Sequence, residues 1–226
     1  MFINQNLLSF EKIQKLCSFY KLNGKIGGEL FEIALKNALI KNGFNAVKNS
    51  KRGKEDLIIN EVKASVKSTT TNAIQVDTMS DSGITIEYLL SLDGKDKNFS
   101  SNFNINNKEE IINKICDRLD KMPIIFGCFN FYKDKCNFTL FELSYEQLCQ
   151  KLKNVNKIVY RKPLTKSRLE FYIDNKLIFE IKDGTGKKEA NAFQRGLWID
   201  DINSFINNID KYVYSNIIYS DIEKEF

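Results

Sequence analysis

Glu32, Asp56, Ser65 and Lys67 are the residues whose types and spacing in this chain could do chemistry together. They fall in one window, Gly24 to Thr70. The 226 residues include no His, which excludes Ser-His-Asp and Cys-His catalysis, His-ligated zinc and imidazole-activated water. Any reaction has to run on carboxylates, Lys, hydroxyls or Cys. The five Cys (Cys17, Cys116, Cys128, Cys136, Cys149) are odd in number and form no C-x-x-C pair. That pattern argues against a disulfide framework or a Cys-rich zinc site and fits a reducing cytoplasm.

Two local geometries decide whether the window can act as a site. A helix over Gly28–Asn42, stopped by Gly43, carries the apolar stripe Leu30, Phe31, Ala34, Leu35, Ala38 and Leu39. At ~100° per residue Glu32 flanks that stripe, while Glu29 points nearly opposite, toward water. Downstream, Asp56–Ile59 and Val62–Ser68 read as a hairpin turning at Asn60-Glu61. Pairing Ile59 with Val62 and Asp56 with Ser65 puts Leu57, Ile59, Val62, Ala64 and Val66 on the buried face. Asp56, Ser65 and Lys67 then share the other face, with Lys67 diagonal to Asp56 and within reach. Glu61 and Lys63 lie at the turn, roughly 10 Å from Asp56 by strand rise. A slipped register would make Glu61-Val62-Lys63 the working group instead of Ser65-Val66-Lys67, and both remain open at this point. Asp and Lys on a strand's exposed face usually mark solvation alone; their combination with Glu32 sets this window apart.

The arrangement Glu32, Asp56, Ser65-Val66-Lys67 resembles the PD-(D/E)XK nuclease superfamily, and within it the MspI-like type II restriction endonucleases. In those a neutral polar residue replaces the acid before x-Lys; Ser65 stands there. Glu55 precedes Asp56 where the signature has Pro. The resemblance covers Gly24 to about Asp77, with a weaker echo in Gly186–Gln194, where related enzymes carry a basic stretch followed by Ala-Asn and Gln in a DNA-contacting loop. It implies a restriction-endonuclease-like α/β (α+β) core, a central mixed β-sheet flanked by helices. It also implies Mg²⁺-dependent hydrolysis of double-stranded DNA at a short specific site. Asp56 would ligate Mg²⁺ directly, beside the Val66 carbonyl, with Glu32 bound directly or through water. Lys67 would orient the attacking water and offset developing charge. Lys54, Lys187 and Lys188 are expected to contact DNA as cations, and Asn191, Gln194 and Arg195 to read base edges. A cognate DNA methyltransferase would be the genetic partner, and the enzyme would act as a monomer or homodimer. Two other functions fit the same residues: a repair or junction-resolving nuclease, and a DNA-binding protein on a catalytically decayed core.

The elements that must position these residues are legible as alternating helical and strand runs. A helix over Leu7–Tyr20 precedes the window, and a short strand, Phe44–Lys48, lies within it. Beyond come a helix over Ile105–Met122, a hairpin of Pro123–Phe131 and Cys136–Leu143, and a helix over Tyr145–Leu152. A second hairpin, Leu169–Ile173 with Lys176–Ile181, turns at Asp174-Asn175. A strand-like run, Ala192–Ile199, and a last helix, Ile202–Tyr214, complete the pattern. This order predicts an α/β or α+β domain with a central mixed sheet, and the resemblance implies one nuclease domain over residues 1–226 with a C-terminal DNA-recognition part at about 155–200. Gly184-Thr185-Gly186-Lys187 lacks phosphate-loop spacing, so no nucleotide cofactor is expected. Seventeen Phe and nine Tyr read as core, and Trp198 as a packed residue. The net charge of +5 is compatible with nucleic acid without pointing to it. No apolar run approaches a membrane span, so a cytoplasmic protein without membrane partners is expected.

Overall fold

The computed structural model describes residues 1–23, 28–49, 55–77, 85–95, 101–161, 167–182 and 196–218. In chain order the elements are α1 (Phe10–Asn23), α2 (Gly28–Lys41), β1 (Ala46–Lys48), β2 (Leu57–Ile59), β3 (Val62–Thr69), β4 (Ile74–Asp77), α3 (Ile86–Leu92), β5 (Phe103–Asn104) and α4 (Lys108–Arg118). There follow β6 (Ile124–Tyr132), β7 (Lys135–Leu143), α5 (Tyr145–Lys153), β8 (Lys157–Arg161), β9 (Arg168–Ile173), β10 (Lys176–Lys182), β11 (Gly196–Ile199), α6 (Ile202–Phe205) and β12 (Lys211–Ile218). The architecture is mixed α+β, in two compact units built from interleaved segments. The first unit takes Met1–Asn72, Met122–Ser144 and Ile206–Phe226; the second takes Ala73–Lys121 and Tyr145–Phe205.

In the first unit the strands run in the order β1-β2-β3-β6-β7-β12. All neighbours are antiparallel except β3 and β6. Phe31, Ala34, Leu35, Ala38 and Leu39 of α2 are buried in its core, as their helical spacing predicts. Gly43 ends the helix region at φ +85°, a conformation that suits glycine. Where Phe31 meets the sheet, a Cβ on Gly127 would stand 2.5 Å from the Phe31 Cζ, so only glycine lets the ring settle on β6. Tyr20 of α1 stacks on Phe129 at 4.2 Å between centroids.

In the second unit the order is β4-β11-β10-β9-β8-β5, all antiparallel. Leu169, Phe171, Phe179, Ile181, Leu197 and Ile199 alternate along β9, β10 and β11 and are at most 3% exposed, so one sheet face is core. Phe205 of α6 packs edge-on against Phe179.

Three expected elements differ in extent. The first helix begins at Phe10 rather than Leu7, and the helix expected over Ile105–Met122 occupies only Lys108–Arg118. The last helix stops after Phe205, and Lys211–Ile218 is a strand paired with β7. Asn208, at φ 66°, lies between them, and Tyr212-Val213-Tyr214 has the aromatic and β-branched character of a strand. Among the described residues no helix is long and apolar enough to cross a membrane.

Candidate functional site

The β2–β3 hairpin turns at Asn60-Glu61, both in the left-handed region (φ 46° and 69°), the signature of a tight two-residue turn. Ile59 pairs with Val62, Ile58 with Lys63 and Leu57 with Ala64. Asn60 is tied to Asn45: the Asn45 N–H donates to its Oδ1, and its own N–H donates to the Asn45 carbonyl. Leu57, Ile59, Ala64 and Val66 are buried as their alternation predicts. Val62 is 44% exposed because it sits beside the turn, past the cover of the core.

A mismatch in strand length creates the site. β2 begins at Leu57, whereas β3 runs on to Thr69, so among the described residues β3 is paired only with β6 from Ser65 onward. The Ser65 N–H donates to the Pro123 carbonyl on that side. The Val66 N–H points the other way and needs an acceptor that no strand among the described residues provides. The Asp56 carboxylate supplies it. Its Oδ2 accepts from the Val66 N–H at 2.6 Å and from the Ser65 hydroxyl at 2.9 Å, with Lys67 Nζ at 3.7 Å. Strand geometry puts the Val66 carbonyl on the same open edge as its N–H.

Glu32 approaches from α2 with only 16% of its side chain exposed, whereas Glu29 is 77% exposed. Lys48 Nζ bridges the two, 3.3 Å from Glu32 Oε2 and 2.8 Å from Glu29 Oε1. Burial first, and the nearby Asp56 charge second, hold the Glu32 carboxyl above its usual range, against the pull of Lys48. The Tyr20 hydroxyl lies 2.9 Å from Ser68 Oγ. Burial pushes the Tyr20 phenol up to about 12, and Glu32 adds to the effect.

The structure therefore brings Asp56, Ser65, Val66 and Lys67 together, with Glu32 close enough for its carboxyl to feel the Asp56 charge. It does not bring Glu61 or Lys63 there. Glu61 is an exposed turn residue, and Lys63 pairs with Glu55 at 3.2 Å. Lys54, Lys187, Lys188, Asn191, Gln194 and Arg195 lie outside the described residues. Lys48 and Tyr20 join the neighbourhood although sequence reasoning did not single them out. Lys48 could have been found from the β1–β2 register, which sets it opposite Leu57, one residue from Asp56.

The donor set is oxygen only: two carboxylates of like charge and a strand carbonyl. Among the described residues no group of three or more His, Cys, Asp or Glu gathers as a ready metal cage. Two carboxylates that repel one another, with a carbonyl beside them, suit a hard divalent cation such as Mg²⁺ completed by water and substrate oxygens. The chain matches no family model, no curated protein and no solved structure.

Proposed function

We propose that this protein is a Mg²⁺-dependent type II restriction endonuclease that hydrolyses double-stranded DNA, the first unit being its restriction-endonuclease-like core. The observation that carries the proposal is the Asp56 carboxylate held on the open edge of β3 by Val66 N–H and Ser65 Oγ, with Lys67 beside it and Glu32 facing it from α2. Asp56 and Glu32 would hold the cation, together with the Val66 carbonyl. When bound, the cation polarises the phosphoryl group and acidifies a water. Ser65 and the Val66 N–H fix the Asp56 carboxylate, so that it pays little ordering cost at the moment of reaction. The Lys67 ammonium supplies hydrogen-bond donors and a positive charge where the attacking oxygen and the crowded phosphorus gain negative charge. Lys48, paired with Glu29 and Glu32, offsets their mutual repulsion and holds the Glu32 carboxylate in place.

The test is incubation of plasmid DNA with the protein and Mg²⁺. Discrete fragments support restriction, whereas random or branch-specific cutting supports a repair nuclease. A second reading, a DNA-binding protein on a decayed core, is favoured by one feature: Ser65 contributes a hydroxyl donor where most members of the superfamily place a carboxylate. Retained binding without any cutting would select it.

A further inference from the structure

The face of the second sheet opposite Leu169, Phe171 and Phe179 carries an ordered row of cations that the proposed chemistry does not use. Residues paired across antiparallel strands share a face. Arg161 pairs with Arg168, and Arg168 with Lys182, so β8, β9 and β10 each present one cation in a single line. The row parallel to it is Glu170, Glu180, Trp198 and Gln75 on β9, β10, β11 and β4.

Like charges directly opposite on a sheet repel. Here the second row separates them. Glu170 accepts from Arg161 Nε at 3.0 Å and from the Tyr172 hydroxyl at 2.6 Å, and forms an ion pair with Arg168, whose Nε lies 3.0 Å away without making a hydrogen bond. Glu180 takes Arg168 Nη1 at 3.3 Å and Lys182 Nζ at 2.7 Å. The two carboxylates are only 5% and 2% exposed, whereas the cations are 30–42% exposed. Glu170 and Glu180 therefore lie beneath the cations, and Asp200, beside Glu180 and Lys182, adds a third, less buried carboxylate. Burying two carboxylates is costly and no efficient route to stability. What it secures is a set of cation heads with few rotamers left to lose. In the same second row Trp198 Nε1 and Gln75 Nε2 are buried donors without a hydrogen-bond partner among the described residues. Lys182 Nζ stands 4.9 Å over the Trp198 ring.

We infer that this face of the second sheet is a docking surface for duplex DNA, with Arg161, Arg168 and Lys182 gripping phosphates along one line. The choice of DNA rests on the nuclease proposal; the anionic partner rests on the cation heads being more exposed than the carboxylates that hold them. Neighbouring strands lie about 4.8 Å apart, so the three cations span roughly 10 Å, enough to meet successive phosphates. Guanidinium forks suit phosphate oxygens bidentately, and sheets are known to seat on duplexes by their strands.

Trp198 is the only tryptophan, so its emission reports on this face directly. The full chain is titrated with a fluorescently labelled duplex in EDTA, following Trp198 emission and duplex anisotropy together. The expected result is that both change and saturate at the same duplex concentration, because Lys182 leaves the indole ring for a phosphate. Lys182→Gln and Arg161→Gln should each weaken binding about threefold or more and lower the salt slope by about one. Should Arg161→Gln unfold because Glu170 loses a partner, Lys182→Gln carries the test alone, with its melting temperature as control. Anisotropy that saturates while Trp198 emission stays constant overturns the inference and leaves the nuclease proposal intact. So do variants that bind like the wild type, or polyglutamate that changes the Trp198 emission as the duplex does. No anisotropy change at all overturns it too, and plasmid cleavage then decides the nuclease proposal separately.

Discussion

Removing the Asp56 carboxylate takes away the proposed cation ligand and the acceptor of the Val66 N–H. Asp56→Ala and Lys67→Ala are each expected to lower cleavage at least about a hundredfold, read as initial rates on plasmid, while DNA binding persists. Lys63→Ala should leave the rate unchanged, since Lys63 pairs with Glu55 at the exposed end of the hairpin. Ser65→Ala removes one of two neutral donors to a charged acceptor, a loss of about 1.5–3 kcal/mol. If all of it falls on the working geometry, the rate drops roughly ten- to a hundredfold. Tyr20 titrates at higher pH than an exposed phenol. Its pKa is pushed up to about 12 in the folded state against about 10 in the unfolded chain. The protonated phenol therefore stabilises the fold below pH ~10, and that contribution is lost as pH rises toward ~12. Urea midpoints measured across this range should fall less steeply for Tyr20→Phe than for the wild type.

The hairpin and the helix that carry the site were largely legible before any coordinates. Asn60-Glu61 between two apolar runs left few registers, and burial of Leu57, Ile59, Ala64 and Val66 selects one. A register slipped by a residue would put Ala64 and Val66 on the face opposite Leu57 and Ile59. Turn chemistry supplies a direct check. Glu61 holds φ 69° without being glycine, so Glu61→Gly should raise stability by up to about 1 kcal/mol and leave cleavage intact. Loss of cleavage in that variant would instead return Glu61 to the site. The contact of Phe31 with Gly127 was not legible, because it joins residues far apart in sequence. Gly127→Ala should cost about 1–3 kcal/mol by overpacking, shift α2 and so displace Glu32. Phe31→Leu in the same chain should recover part of both stability and rate. The strand β12 escaped notice because Ile202–Tyr214 keeps a helical apolar spacing; the pairing with β7 overrides it. The cation row of the second sheet was hidden for a related reason. Alternation in Arg168-Leu169-Glu170-Phe171-Tyr172 shows two faces but not that paired strands align their charges.

At the scale of the whole molecule, all five thiols are buried and unbridged, Cys17 from α1 against Cys136 from β7 and Cys116 from α4 against Cys149 from α5. Burial pushes the Cys116 and Cys128 thiols up to about 12, far from the reactive thiolate. A disulfide reagent at pH 8 should find none of them in the native protein and all five in denaturant. Partial reaction in the native state would mean that one unit opens on its own, and mass spectrometry of the labelled peptides would say which.

Interleaving sets a timetable for synthesis. β4 leaves the ribosome directly after the site hairpin, but its neighbour in the sheet is β11, about 120 residues later, roughly 10 s at ~5–20 residues per second. β3 waits for β6 over about half that span. During those seconds each emerging strand shows a bare edge, and Ile74 and Val76 lack the core that finally buries them. Slower translation between Ile124 and Gly196 should therefore lower soluble yield.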